Sequence, residues 1–207
     1  MKTIGRSVLF PLLWAGGVVF AQKPFEGSIT FTTKIEGAMA DQMREMLKGQ
    51  LPEKMVTYYR SDKSRSDVGD VSVIVDAQAG MMYLLNPALQ TFRKASLNPE
   101  ADAKAPQPQV TRTKEKTKIA GYTAYKHIVQ VETEQGPMKM EIWATPELRV
   151  AETLNRGNAF TRGAKVEGLP LRIAMDVPGM DLRIVFLATQ VVRTPPDESL
   201  FKIPEGY

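Results

Sequence analysis

Apolar residues return at every second position in run after run of this chain, and that rhythm limits its possible folds more than any other feature. In segment 25–35, Phe25, Ile29, Phe31 and Ile35 fall on one side, with Glu26, Ser28, Thr30, Thr32 and Lys34 on the other. Successive strand side chains point to opposite faces, so this pattern reads as a strand with one buried face. Segment 122–134 repeats it with Tyr125, His127, Val129 and Val131 against Lys126, Gln130 and Glu132, and segment 138–144 does so with Met138, Met140 and Ile142. The turn between them is Gly136-Pro137. A last pair carries Leu169, Leu171, Ile173 and Met175 and then, past Pro178-Gly179, Leu182, Ile184 and Phe186. Shorter runs at 55–60, 71–76, 81–85 and 91–95 are broken by a polar turn at 61–64 and by Gly80, which is the spacing of an antiparallel meander.

Two segments follow the helical period instead. In 38–48, Met39, Met43, Met46 and Leu47 recur at i, i+4, i+7 and i+8, which makes a short amphipathic helix with a methionine stripe. Thr145-Pro146-Glu147 supplies an N-cap, a proline for the first turn and an acid beside it, so a second short helix is expected over 147–154. About ten strands with one apolar face each must close into a barrel, pack as a sandwich or curl. Two opposed sheets would leave no place for the methionine stripe. The expected fold is therefore mainly β (α+β): a curved antiparallel half-barrel sheet with one or two short helices on its concave face. Segment 96–109, with Pro99, Pro106 and Pro108 and no periodicity, reads as a mobile surface loop within a single domain over 22–207.

The first 21 residues follow another logic. Lys2 and Arg6 precede an apolar run from Val8 to Phe20, and Val19-Phe20-Ala21 ends it, the layout of a signal peptide cleaved after Ala21. The run is broken by Pro11 and Gly16-Gly17 and is short of the ~20 residues a membrane span needs. No cysteine follows the cut, so the expected product is an exported, periplasmic or secreted chain that is not a lipoprotein and has no transmembrane segment. Removing Lys2 and Arg6 lowers the formal charge from +4 to +2, too little for nucleic acid to be the partner. The absence of cysteine also excludes thiol chemistry and zinc–thiolate sites.

Several fragments, in order and spacing, resemble a family of exported bacterial proteins of unknown function, similar in outline to the lipoprotein-carrier superfold of LolA, LolB and LppX. They are Phe25-Glu26-Gly27, Val73-Ile-Val-Asp76 before Met81-Met-Tyr-Leu84, Lys118-Ile-Ala-Gly-Tyr122, Glu141-Ile-Trp-Ala-Thr145, Gly168-Leu-Pro-Leu171 and Phe201-Lys-Ile-Pro-Glu-Gly-Tyr207. The resemblance implies a half-barrel with helices on the concave side and a cavity that holds acyl chains in the better-known relatives. It brings no catalytic residue.

Candidate sites are few. His127 is the only histidine, so a nucleophilic relay or a multi-histidine metal site would hang on it alone; a buried, hydrogen-bonded imidazole is the plainer account. Asp62 with Asp67 and Glu132 with Glu134 sit in polar segments rather than a cleft. Arg112, Lys114, Lys116 and Lys118 would project from one strand face, either toward an anionic surface or as a lysine-rich edge that discourages aggregation. The candidate cavity draws Met43 and Met46 from the helix and Phe31, Met140 and Ile142 from strands. Ile173, Met175 and Phe186 complete it. These residues are core if the helix only caps the sheet and a pocket wall if it can lift. The leading expectation is a non-enzymatic envelope protein that binds an apolar or lipid-like ligand without cofactor or metal. The alternative is a structural or interaction module with a self-filled core and envelope-protein partners.

Overall fold

The computed structural model describes residues 23–49, 51–97, 107–133, 136–151, 153–154 and 164–207. The signal peptide read from the sequence, most of the loop 96–109 and Glu134 lie outside these residues.

Eleven antiparallel strands form one sheet, and the order in which they pair divides it into two meanders. The first begins with β1 (Gly27–Glu36) and runs outward through β2 (Lys54–Arg60), β3 (Lys63–Val68), β4 (Val71–Asp76) and β5 (Met81–Asn86) to β6 (Thr91–Ser96). The second starts at the opposite edge with β7 (Gln109–Ile119). It runs inward through β8 (Tyr122–Thr133), β9 (Gly136–Thr145) and β10 (Leu169–Asp176) to β11 (Arg183–Val192). The first and last strands pair with each other, Ser28 opposite Val192 through Glu36 opposite Arg183, and so join the two halves at the centre. A register shift between Thr30 and Phe31 marks a bulge in this seam, which adds local twist.

The sheet is strongly curved and unclosed. Laid flat, β5 and β10 would stand six strand spacings apart, about 29 Å, yet Met82 and Ile173 line one common cavity. Curvature gives the sheet an inner face, on which cross-strand register places Ile29, Phe31, Met55, Thr57, Val73 and Val75 from one half and His127, Val129, Met140, Ile142 and Ile173 from the other.

One strand escaped the sequence pattern. Residues 61–64 read as a turn, whereas Lys63 already begins β3, a strand with serines on its inner face and Lys63, Arg65 and Asp67 on its outer one. Polar on both sides, it carries no apolar alternation to detect.

The helices also differ from expectation. The methionine segment forms only the seven-residue α1 (Ala40–Met46), with no buried residue, packed beside the end of β1 rather than over the trough. Segment 147–154 is not a helix from its start: residues 146–147 form a turn, 149–151 have no regular structure and helical conformation is found at 153–154. Thr145 turns the chain off the sheet, and Leu148, Leu154, Val150 and Val166 from this connection pack into the main core cluster. The β9–β10 connection therefore covers the inner face, the task expected of α1. Its return is tight: a Cβ on Gly168 would collide with the Thr145 carbonyl, and φ is +88° there, so glycine is required.

Beyond β11 the chain crosses the outer face of the first meander. A short 3-10 turn, Glu198–Phe201, is capped by the Asp197 carboxylate, which accepts from Ser199 N at 2.8 Å. Arg60 donates to the Pro196 carbonyl at 2.6 Å and Arg65 to the Leu200 carbonyl at 3.0 Å, pinning the tail to β2 and β3. Among the described residues, no helix is long and apolar enough to cross a membrane.

Candidate functional site

A cavity of about 390 Å³ opens on the inner face of the first meander. Phe31 of β1 and Met55, Thr57 and Tyr59 of β2 form its floor, and Ser64, Ser66 and Val68 of β3 continue it. Val71, Val73 and Val75 of β4 and Met82 of β5 make the far wall. Leu154 from the β9–β10 connection, with Pro170 and Ile173 of β10, closes it from the other half. Small side chains create the void: where β9 presents Met140 and Ile142 to the inner face, β3 presents Ser64 and Ser66. Phe25 braces the rim, its N–H donating to the Arg149 carbonyl at 2.6 Å and its ring 5.8 Å from that of Tyr59.

Among the described residues the cavity lining contains ten that are apolar and four that carry hydroxyls, with no acid, base or histidine. Thr57 Oγ1 and Ser66 Oγ hydrogen-bond across the strands at 3.0 Å. Burial pushes the Tyr59 phenol well above its ordinary value, so the ring stays neutral. Such a surface can exclude water and grip hydrocarbon.

Of the eight residues expected to line a cavity, Phe31 and Ile173 do so. Met140, Ile142 and Phe186 are buried in the same core cluster, and Met175 packs against it, but none of the four is in the lining of this cavity. Met43 is half-buried and Met46 is exposed, both on α1 and away from the lining. The helix is too short to reach the trough from the end of β1. The wall residues that the sequence pattern did not nominate are mainly on β2, β3 and β4. Their available signal was the inward alternation of Met55, Thr57 and Tyr59, continued by Val71, Val73 and Val75.

The model of a family described as Domain of unknown function (DUF4412) matches residues 25–207. The chain belongs to the DUF4412 family. That membership and the unclosed curved sheet bear out the resemblance drawn from the sequence fragments. No curated protein matches the sequence significantly. Among solved structures, PNGF-II is similar over 85% of this chain, with a TM-score of 0.49 and 17% identity; the DUF4412 chain spans 30% of PNGF-II's length. An uncharacterized conserved protein from Thermus thermophilus is similar over 86% of both chains, with a TM-score of 0.46 and 11% identity. A domain described as an outer membrane lipoprotein-sorting protein, from Vibrio parahaemolyticus, covers 85% of this chain and 89% of its own, with a TM-score of 0.33 and 11% identity.

The other candidates of this DUF4412 chain are structural in their surroundings. His127 is buried, and its Nδ1 donates to the Tyr125 carbonyl at 3.0 Å. Burial, with Arg112 nearby, lowers its pKa against the opposing pull of the Tyr125 and Ile142 backbone and of Glu167, so the imidazole is held neutral. Arg112, Lys114, Lys116 and Lys118 are exposed on β7, an edge strand. A register shift between Arg112 and Lys116 interrupts the stripe at Lys114. Arg112 is engaged twice, by Glu167 and by the Tyr125 ring 4.5 Å away. Asp67 is taken by Arg65 and Ser72. Among the described residues, no group of three acids, histidines or cysteines could hold a metal.

Proposed function

We propose that this DUF4412 chain is an exported, non-enzymatic envelope protein that holds an apolar or lipid-like molecule in its half-barrel cavity. One observation carries the reading: the first meander has a void of about 390 Å³ on its inner face whose described lining is uncharged. That volume lies within the ~300–1,000 Å³ of small-molecule sites and is more than twice the ~150 Å³ of an engineered cavity that takes up benzene. Valine, methionine and phenylalanine walls favour hydrocarbon, and the flexible Met55 and Met82 can repack around chains of different shape. The leader over residues 1–21 fits delivery to an envelope compartment.

The test begins with detergent-free purification of the mature chain and native mass spectrometry. A co-purifying apolar species, or saturable binding of the uncharged fluorophore N-phenyl-1-naphthylamine, is expected. Ser64→Leu narrows the void and is expected to weaken that binding several-fold while thermal unfolding remains cooperative. Probe binding no stronger than that of an ordinary globular control, or undiminished in this variant, overturns the proposal. In the first case the self-filled interaction module becomes the better account.

A further inference from the structure

Four hydroxyls stand together inside the otherwise apolar cavity. Tyr59 lies directly opposite Ser64 on β2 and β3, and Thr57 opposite Ser66 is the next inward-facing pair along the same two strands. Tyr59 and Ser64 are each only 7% exposed. Among the described residues neither side-chain hydroxyl has a hydrogen-bond partner, while Thr57 and Ser66 satisfy each other. Neither oxygen is among the fully buried atoms that lack a partner, so both hydroxyls remain free to bond whatever fills the cavity, water included. Both line the cavity, so an occupant is placed to bond them.

Among the described residues that line the cavity, none is charged. Lys63, Arg65 and Asp67 alternate with the two serines and point to the outer face, where Arg65 bonds Asp67, Ser72 and the tail. Lys63 is paired with Asp76 on the same side. Neutral hydroxyls in a poorly hydrated pocket solvate an ion badly, whereas each can both donate to and accept from an alcohol or an ester.

We infer that the occupant is a neutral amphiphile, with its uncharged hydroxyl or ester group seated on Thr57, Tyr59, Ser64 and Ser66 and its hydrocarbon along the valine wall. A monoacylglycerol or a long-chain alcohol is of this class; a fatty-acid anion or a phospholipid headgroup is not. The inference rests on the cavity being a binding site, and the experiment separates the two.

N-phenyl-1-naphthylamine bound to the mature chain is displaced by 1-decanol, monodecanoylglycerol and decanoate at pH 8, where the acid is fully ionised. The two neutral ligands are expected to displace the probe at concentrations at least ten-fold below decanoate. Tyr59→Phe, which keeps the ring, and Thr57→Val with Ser66→Ala, which keeps most of the volume, are each expected to shrink that advantage at least three-fold, the advantage being the ratio of displacing concentrations measured on the same variant. Equal displacement by decanoate, or an advantage unchanged in both variants, overturns this inference and leaves the apolar site standing. Failure of the probe to bind wild-type protein overturns both.

Discussion

The two meanders of one sheet fill their inner faces differently. In the second, Val129, Ile142, Ala144, Leu148 and Leu171 are all fully buried in the main core cluster. In the first, the inner face is left partly empty, and the tightly buried residues Ile74 and Leu85 lie on the outer face, outside the main cluster. That outer face is crossed by the C-terminal tail, whose Phe201 is buried in turn. A strand layer needs one well-packed face to be stable, and the tail supplies it where the cavity cannot. The lesson is that a void can persist in a small protein when the layer that bounds it is held from behind.

Truncations to alanine should expose this difference most strongly, beyond the one extra carbon that isoleucine loses. Ile142→Ala removes a fully buried side chain from the second half and is expected to cost about 3–4 kcal/mol, within the ~2–5 kcal/mol range for such core deletions. Val73→Ala, on the half-buried cavity wall, is expected to cost about 1 kcal/mol, because one side of the methyls already meets empty space. Urea unfolding midpoints at constant slope measure both. Similar losses at the two sites would show that the cavity closes in solution and that the halves are packed alike.

Enlarging substitutions sharpen the contrast because their signs should oppose. Ala144→Leu has nowhere to go and is expected to destabilise by about 1–3 kcal/mol. Ser64→Leu replaces an unbonded hydroxyl with methyl groups that fill existing space, and is expected to stabilise by about 0.5–1 kcal/mol. Stability should thus rise in the variant that binds the probe more weakly. A destabilised Ser64→Leu would mean that the void is not available to a side chain.

How much of this was legible beforehand follows the same division. The second meander was readable because its inner face alternates large apolar residues with charged ones, as Val129, Val131, Met140 and Ile142 do with Lys126, Glu132, Lys139 and Glu141. The half-barrel followed from counting such one-sided strands. The cavity wall was harder, because a void is made by the side chains that are small. Ser64 reads as the end of a polar turn at 61–64, and Ser66 carries no apolar signal to mark an inner face. The methionine stripe misled for a related reason: its periodicity is sound, but nothing local tells whether Met43 and Met46 meet a trough or a rim. Nor did any pattern announce that the 146–168 connection would cover the second half, since its apolar residues are scattered rather than periodic.

Each half also encloses one titratable ring, and the two should limit stability at opposite ends of the pH scale. Burial, helped by Arg112, lowers the His127 pKa against the pull of Glu167 and of the backbone carbonyls. The unfolded chain therefore takes up a proton near pH 6.5 that the folded chain resists, and stability is lost as pH falls below that value. Tyr59 shifts the other way: burial raises its pKa, so the unfolded chain releases a proton near pH 10 that the folded chain retains, and stability is lost as pH rises past that point. These effects are smaller than the packing changes. His127→Gln should flatten the slope of unfolding free energy between pH 5 and 7 and leave the alkaline limb unchanged; Tyr59→Phe should do the reverse above pH 10. The acidic test stays above pH 5 because Glu141 complicates lower values: burial raises its pKa, but its hydrogen bond to Lys126 and the charges of Lys126 and Arg183 outweigh this and lower it overall. If either substitution altered both limbs, the two halves would not be titrating independently, and the division between a packed side and an open side would not extend to their electrostatics.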